Sequence, residues 1–83
     1  MKITIKYFAS IREAMGQGSE TLDTTAGTLA ELRDSLIARG GVGGEALARG
    51  RAVRTALNQL MGDESVTLTE GCEVAFFPPV TGG

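Results

Sequence analysis

Only one stretch of this 83-residue chain has the pattern of a long amphipathic helix, and that limits the architecture more than any other feature. Thr28-Leu29-Ala30-Glu31 fits a capping box, in which the threonine hydroxyl accepts from a free backbone N–H and the glutamate reaches back. Leu29, Leu32, Leu36 and Ile37 follow at i, i+3, i+7 and i+8 and make one apolar stripe. Arg39 suits the negative end of the helix dipole, and Gly40 stands where a helix stops. One helix covers one face of a sheet and no more. The expected class is therefore α+β in two layers, and the other face of the sheet meets either water or a partner.

The sheet is readable on both sides of that helix. Lys2-Ile3-Thr4-Ile5-Lys6-Tyr7-Phe8 has period two and is rich in β-branched and aromatic residues. Ile3, Ile5 and Tyr7 share one face; Lys2, Thr4, Lys6 and Phe8 share the other. Residues 9–18 are expected as a connection, with Gly16 and Gly18 as breakers. Residues 19–24, around Leu22, form a short second strand, so that 1–24 is a β-hairpin. Residues 40–50 carry Gly40, Gly41, Gly43, Gly44 and Gly50 and are expected as a flexible connection with one helical turn over Glu45–Arg49. They lack the Lys-Ser/Thr pair that completes a phosphate loop. A third strand is expected near 52–58, with a turn at Gly62-Asp63. Val66-Thr67-Leu68 is a short extended piece, and Thr69-Glu70-Gly71 is another turn. The final strand is Glu73-Val74-Ala75-Phe76-Phe77, with Val74 and Phe76 on one face and Glu73, Ala75 and Phe77 on the other.

Composition removes several kinds of chemistry. Lys plus Arg is 8 and Asp plus Glu is 10, a net charge of −2, which argues against a nucleic-acid binder. With no His and one Cys, the chain cannot assemble a tetrahedral His/Cys zinc site, a Ser-His or Cys-His nucleophile pair, or an internal disulfide. No metal site is expected. The N-terminus alternates polar and apolar residues, unlike a signal peptide, and no apolar run approaches a membrane span. A soluble cytoplasmic protein without membrane attachment is the expectation, and the lone Cys fits a reducing compartment.

The last six residues read separately from the domain at 1–77. Pro78 and Pro79 cannot donate to a sheet ladder, and they favour a stiff, extended exit. Pro78, Pro79, Val80, Thr81, Gly82 and Gly83 reach at most about 20 Å from the body. Gly82 and Gly83 have no side chains, so the tip passes through a channel too narrow for other residues. Its only chemical group is the terminal carboxylate, ionised at neutral pH and a poor electrophile until activated. The bland alternative is a fraying terminus.

Ala75-Phe76-Phe77-Pro78-Pro79-Val80-Thr81-Gly82-Gly83 resembles the C-terminus of the MoaD/ThiS family of sulfur carriers, most closely that of molybdopterin synthase small subunits. Tyr7-Phe8-Ala9-Ser10-Ile11-Arg12-Glu13, Thr28-Leu29-Ala30-Glu31-Leu32-Arg33, Ala56-Leu57-Asn58-Gln59 and Leu68-Thr69-Glu70-Gly71 extend the likeness over essentially the whole chain. The resemblance implies a ubiquitin-like β-grasp, a mixed sheet covered on one face by one main helix. It implies that an E1-like adenylating enzyme activates Gly83 with ATP, and that a sulfur donor then makes a thiocarboxylate. The tail, Pro78 to Gly82, would insert into the large synthase subunit and deliver sulfur to cyclic pyranopterin monophosphate, in an expected heterotetramer. No cofactor would be bound by this chain itself. A sulfur carrier for thiazole synthesis and a ubiquitin-like protein modifier are the alternative readings, with an inert-tailed binding module as a fourth. The glycine-rich stretch 40–44 matches no motif of the family.

If Ile3, Ile5, Val74 and Phe76 face the helix, Phe8 and Phe77 face away from it. First and last strands are neighbours in a β-grasp, so the two rings are expected as one exposed apolar patch, with Met61 joining it as a partner interface. The large subunit and the activating enzyme would share that patch and the tail, and so exclude each other. Arg12 and Glu13 read as a solvated pair, and Arg49, Arg51 and Arg54 as a solvated face. Cys72, with no basic neighbour, reads as a small semi-apolar residue rather than a sulfur site.

Overall fold

The computed structural model describes residues 1–79. Five strands form one sheet: β1 (Lys2–Tyr7), β2 (Ser19–Asp23), β3 (Arg54–Leu57), β4 (Leu60–Met61) and β5 (Glu73–Phe77). Their order is β2-β1-β5-β3-β4. β1 and β5 run parallel at the centre, and the other neighbours are antiparallel, so the sheet is mixed. Among the described residues there are also three helices: α1 (Ala9–Met15), α2 (Leu29–Ala38) and α3 (Gly41–Ala46).

The alternation in β1 does what its period requires. Ile3, Ile5 and Tyr7 are fully buried and join Val74 and Phe76 of β5 beneath Leu29, Leu32 and Leu36 of α2. Tyr7 and Phe76 stack with ring centroids 6.2 Å apart, and the Tyr7 hydroxyl donates to Glu20. Burial, then that hydrogen bond to a carboxylate, pushes the Tyr7 hydroxyl above its ordinary range. The α2 start is capped as its sequence indicates: Thr28 Oγ1 accepts from the Glu31 N–H at 3.2 Å. The return half of the capping box differs, since the Thr28 hydroxyl donates to the Glu31 carboxylate at 3.3 Å. Gly40 has φ 74° after α2, a conformation that favours glycine.

Three expectations are corrected. Residues 9–15 are not a plain connection but helix α1, closed by Gly16 in the left-handed conformation. Only Ile11 of this helix is buried, so its one-residue stripe gives no legible period. Residues 41–46 are likewise helical, where a single turn is expected four residues later. α3 packs against both α1 and α2, and its glycines permit that approach. A Cβ at Gly44 would come 2.7 Å from the Ile37 carbonyl oxygen. The third strand is shorter than residues 52–58, and a two-residue hairpin at Asn58-Gln59, both with positive φ, returns it as β4. Residues 66–68 pair only through the bridge between Thr28 and Thr67.

Candidate functional site

The face of the sheet opposite the helices can be read from its register, because residues directly across a ladder point the same way. One row runs Lys6, Ala75, Ala56, Met61 across β1, β5, β3 and β4. The next row toward the C-terminal end places Phe77 beside Arg54, with Phe8 following Lys6 on the same face. Phe8 is 48% exposed and Met61 62%, and none of these residues belongs to the main core cluster.

The expected aromatic pair is present. Phe8 and Phe77 meet edge to face with centroids 6.3 Å apart. Local backbone holds them there. The Phe8 N–H donates to the Phe76 carbonyl at 3.2 Å, extending the parallel ladder by one bond. Ala9 then takes φ 51°, which turns the chain sharply into α1 and leaves Phe8 with the sheet. Phe77 is half-buried rather than fully exposed, because Phe8 leans on it. Met61 lies two strands away from Phe77 on the same face, across a floor of Ala75 and Ala56. Large side chains thus stand on either side of two small ones.

Sequence reasoning missed Leu60, which is 75% exposed beside Met61. Its signal was present in Leu60-Met61-Gly62, two apolar residues at a hairpin tip with nothing polar between them. The hairpin is anchored, since the Asn58 side chain accepts from the Glu73 N–H at 2.9 Å and the Asn58 N–H donates to the Glu73 carbonyl at 2.7 Å.

β5 is a central strand, and it stops at Phe77 because Pro78 has no N–H to give. Pro78 and Pro79 are half-buried, and Pro78 lines a groove with Ile11, Ala14, Val42 and Val53. Pro78 therefore lies just past the Phe8–Phe77 pair, against α1. The tail residues Val80, Thr81, Gly82 and Gly83 lie outside the described residues.

Other singled-out residues are dispersed. Arg12 and Glu13 are both exposed and form no ion pair with each other. The arginine cluster divides: Arg49 pairs with Asp34 and Glu64, Arg51 pairs with Glu45, and Arg54 stands on the outer sheet face. Cys72 is buried among core side chains, as a small apolar residue would be. Among the described residues no group of His, Cys, Asp or Glu is placed to hold a metal ion. No helix among the described residues is long and apolar enough to cross a membrane.

The buried Arg33 was not legible from the sequence. Its guanidinium donates to the carbonyls of Leu47 and Ala48 at 2.7 and 2.9 Å, and to Glu64 at 2.7 Å. It fastens the end of α3 and the segment after β4 to α2. Its partners lie 14 to 31 residues away, so no local pattern announces them. For Glu64, burial alone would raise the carboxyl, but hydrogen bonds from Arg49 and Arg33 outweigh it and hold the group below its ordinary value.

Comparison with known proteins places these features in a wider group. The ThiS family model matches residues 5–83. The molybdopterin synthase sulfur carrier subunit of Escherichia coli (strain K12) is 37% identical over 81 residues, spanning 98% of this chain and 99% of that one. Subunit 1 of a putative molybdopterin converting factor from Pyrococcus furiosus superposes with a TM-score of 0.79 at 24% identity, covering 96% of this chain and 99% of that one. A complex of subunits 1 and 2 of the molybdopterin-converting factor from Helicobacter pylori 26695 contains a chain that matches with a TM-score of 0.71 at 26% identity, covering 100% of both. The fold is the ubiquitin-like β-grasp, with α2 as its main helix.

Proposed function

The chain belongs to the ThiS family, and from that premise we propose that it is the sulfur-carrier small subunit of a molybdopterin synthase. The observation that carries this reading is the exit from β5. A central strand stops at Phe77, two prolines lead the chain off beside an aromatic pair, and Val80-Thr81-Gly82-Gly83 follows.

An E1-like enzyme would condense the Gly83 carboxylate with ATP, forming an acyl-adenylate and releasing pyrophosphate. A sulfur donor then displaces AMP, and the product is a thiocarboxylate at Gly83. The negatively charged tail enters the active site of the large subunit, and its sulfur passes to cyclic pyranopterin monophosphate. Pro78 and Pro79 limit the conformations lost when the tail is threaded, and Gly82 and Gly83 keep the tip slender. Phe8, Phe77 and Met61 form the surface that docks on the large subunit and, at a different time, on the activating enzyme. In keeping with a chain that has no His, this subunit supplies the sulfur, while the large subunit supplies substrate binding and most catalytic groups.

The reading is tested by one added residue. A chain extended beyond Gly83 should fold as before but neither become adenylated nor support molybdopterin synthesis. Synthesis by the extended chain contradicts the role of the carboxylate. Covalent adducts on lysines of other proteins would instead indicate a ubiquitin-like modifier.

A further inference from the structure

Charge on this molecule is partitioned by face. Of its eight basic side chains, Arg33, Arg39, Arg49 and Arg51 are ion-paired, with Glu64, Glu20, Asp34 and Glu45 among their partners. Arg33 lies in α2, Arg39 is the residue that caps its C-terminal end, and Arg49 and Arg51 lie between α3 and β3. The other four, Lys2, Lys6, Arg12 and Arg54, make no ion pair among the described residues. Three of these, Lys2, Lys6 and Arg54, lie on the outer sheet face.

The face is itself polarised. At its Lys2 end stand Asp23, directly across from Lys2, and Glu73, across from Thr4; the Glu70 carboxylate accepts the Lys2 backbone N–H. Those carboxylates offset Lys2. At the other end, the strand residues of the rows containing Phe8, Phe77, Ala75, Ala56 and Met61 carry only Lys6 and Arg54 as charges; Asp63, just past β4, lines a hollow with Arg54 and Met61 but forms no ion pair with Arg54. Lys6 adjoins Ala75, and Arg54 adjoins Phe77. In an acidic protein, two cations that make no ion pair among the described residues thus flank its aromatic patch.

We infer that this patch is matched to an acidic partner protein: a surface with an apolar recess for Phe8 and Phe77, bordered by carboxylates opposite Lys6 and Arg54. The inference rests on the docking role proposed above and adds the partner's chemistry. Exposed charges at the rim of an interface act chiefly on the encounter, raising the association rate and making it fall with salt, while the apolar centre governs dissociation. A nucleic acid or an anionic membrane fits the face poorly. Two cations release few counterions, and the carboxylates at the Lys2 end repel a polyanion.

The test is association kinetics between the full-length chain and the recombinant large synthase subunit of the same organism, from low to physiological salt. The unaltered chain should associate more slowly as salt rises. The double variant Lys6→Gln/Arg54→Gln should associate about tenfold more slowly at low salt and lose most of the salt dependence, with dissociation changed by less than about twofold. Unchanged association in that variant, or a salt-independent rate for the unaltered chain, overturns the acidic-partner inference and leaves the docking role standing. No binding at any salt overturns both. Retention of a single-stranded DNA oligonucleotide, or of phosphatidylserine vesicles, at physiological salt overturns it in favour of a polyanion surface. Circular dichroism of the double variant should match the unaltered chain, because neither side chain is ion-paired or part of the core.

Discussion

Phe77 meets the ring of Phe8 edge-on, with centroids 6.3 Å apart, although 69 positions separate the two in the chain. The parallel pairing of β1 with β5 brings them together, and both point away from α2. That places an apolar pair at the point where the chain leaves the sheet for its C-terminus. Docking and delivery would then share one end of the molecule.

Replacing Phe77 with Asp should weaken binding to the large subunit roughly hundredfold or more, as expected for a central aromatic anchor. The melting temperature should fall by only a few degrees, because Phe77 is half-buried and outside the main core cluster. Titration calorimetry and thermal unfolding on the same preparation separate the two effects. Cooperative unfolding lost at room temperature would place the ring in the core.

Arg33→Ala should be among the most damaging single changes outside the apolar core. It removes the donors that satisfy the Leu47 and Ala48 carbonyls and one of the two arginines on Glu64. A loss of about 3 kcal/mol is expected in urea unfolding. A loss under about 1 kcal/mol would mean that water replaces the guanidinium at little cost.

The same cluster sets an acid dependence. Glu64 is held below its ordinary value of 4.5, so the unfolded chain takes up its proton at higher pH than the folded one. Its contribution to stability is complete above that ordinary value and is lost as pH falls through the depressed one. Glu64→Gln should flatten the acid limb of stability against pH. An unchanged acid limb in the variant would assign the effect to other carboxylates.

Gly44→Ala should cost more than Gly43→Ala. At Gly44 the new methyl meets the backbone oxygen of Ile37 at 2.7 Å, and the backbone cannot move without disturbing α2. At Gly43 it meets the Met15 sulfur at the same distance, on a flexible side chain. Chemical denaturation of the two variants should rank them in that order.

The difference between those glycines shows why part of the fold was hidden in the sequence. Glycine in α3 has the lowest helix propensity of any residue but proline, so residues 41–46 looked like a loop; close approach to α1 and α2 selects it. α1 was hidden for a related reason, having one buried residue and no side-chain cap. Arg33 and Glu64 are joined across 31 positions by tertiary contact alone. In contrast, the faces of β1 and β5 follow from period two, and the α2 start follows from Thr28 and Glu31. The Phe8–Phe77 pair needed one further fact, the adjacency of the first and last strands. The opposed charges along the outer face needed the register of four strands, and no single segment contains it.

The most direct test of the account is the intact mass of the chain after incubation with its activating enzyme, ATP and a sulfide source. The account predicts a gain equal to one oxygen exchanged for sulfur, localised by fragmentation to Gly83. An unchanged mass, with an activating enzyme shown to be competent, would contradict it.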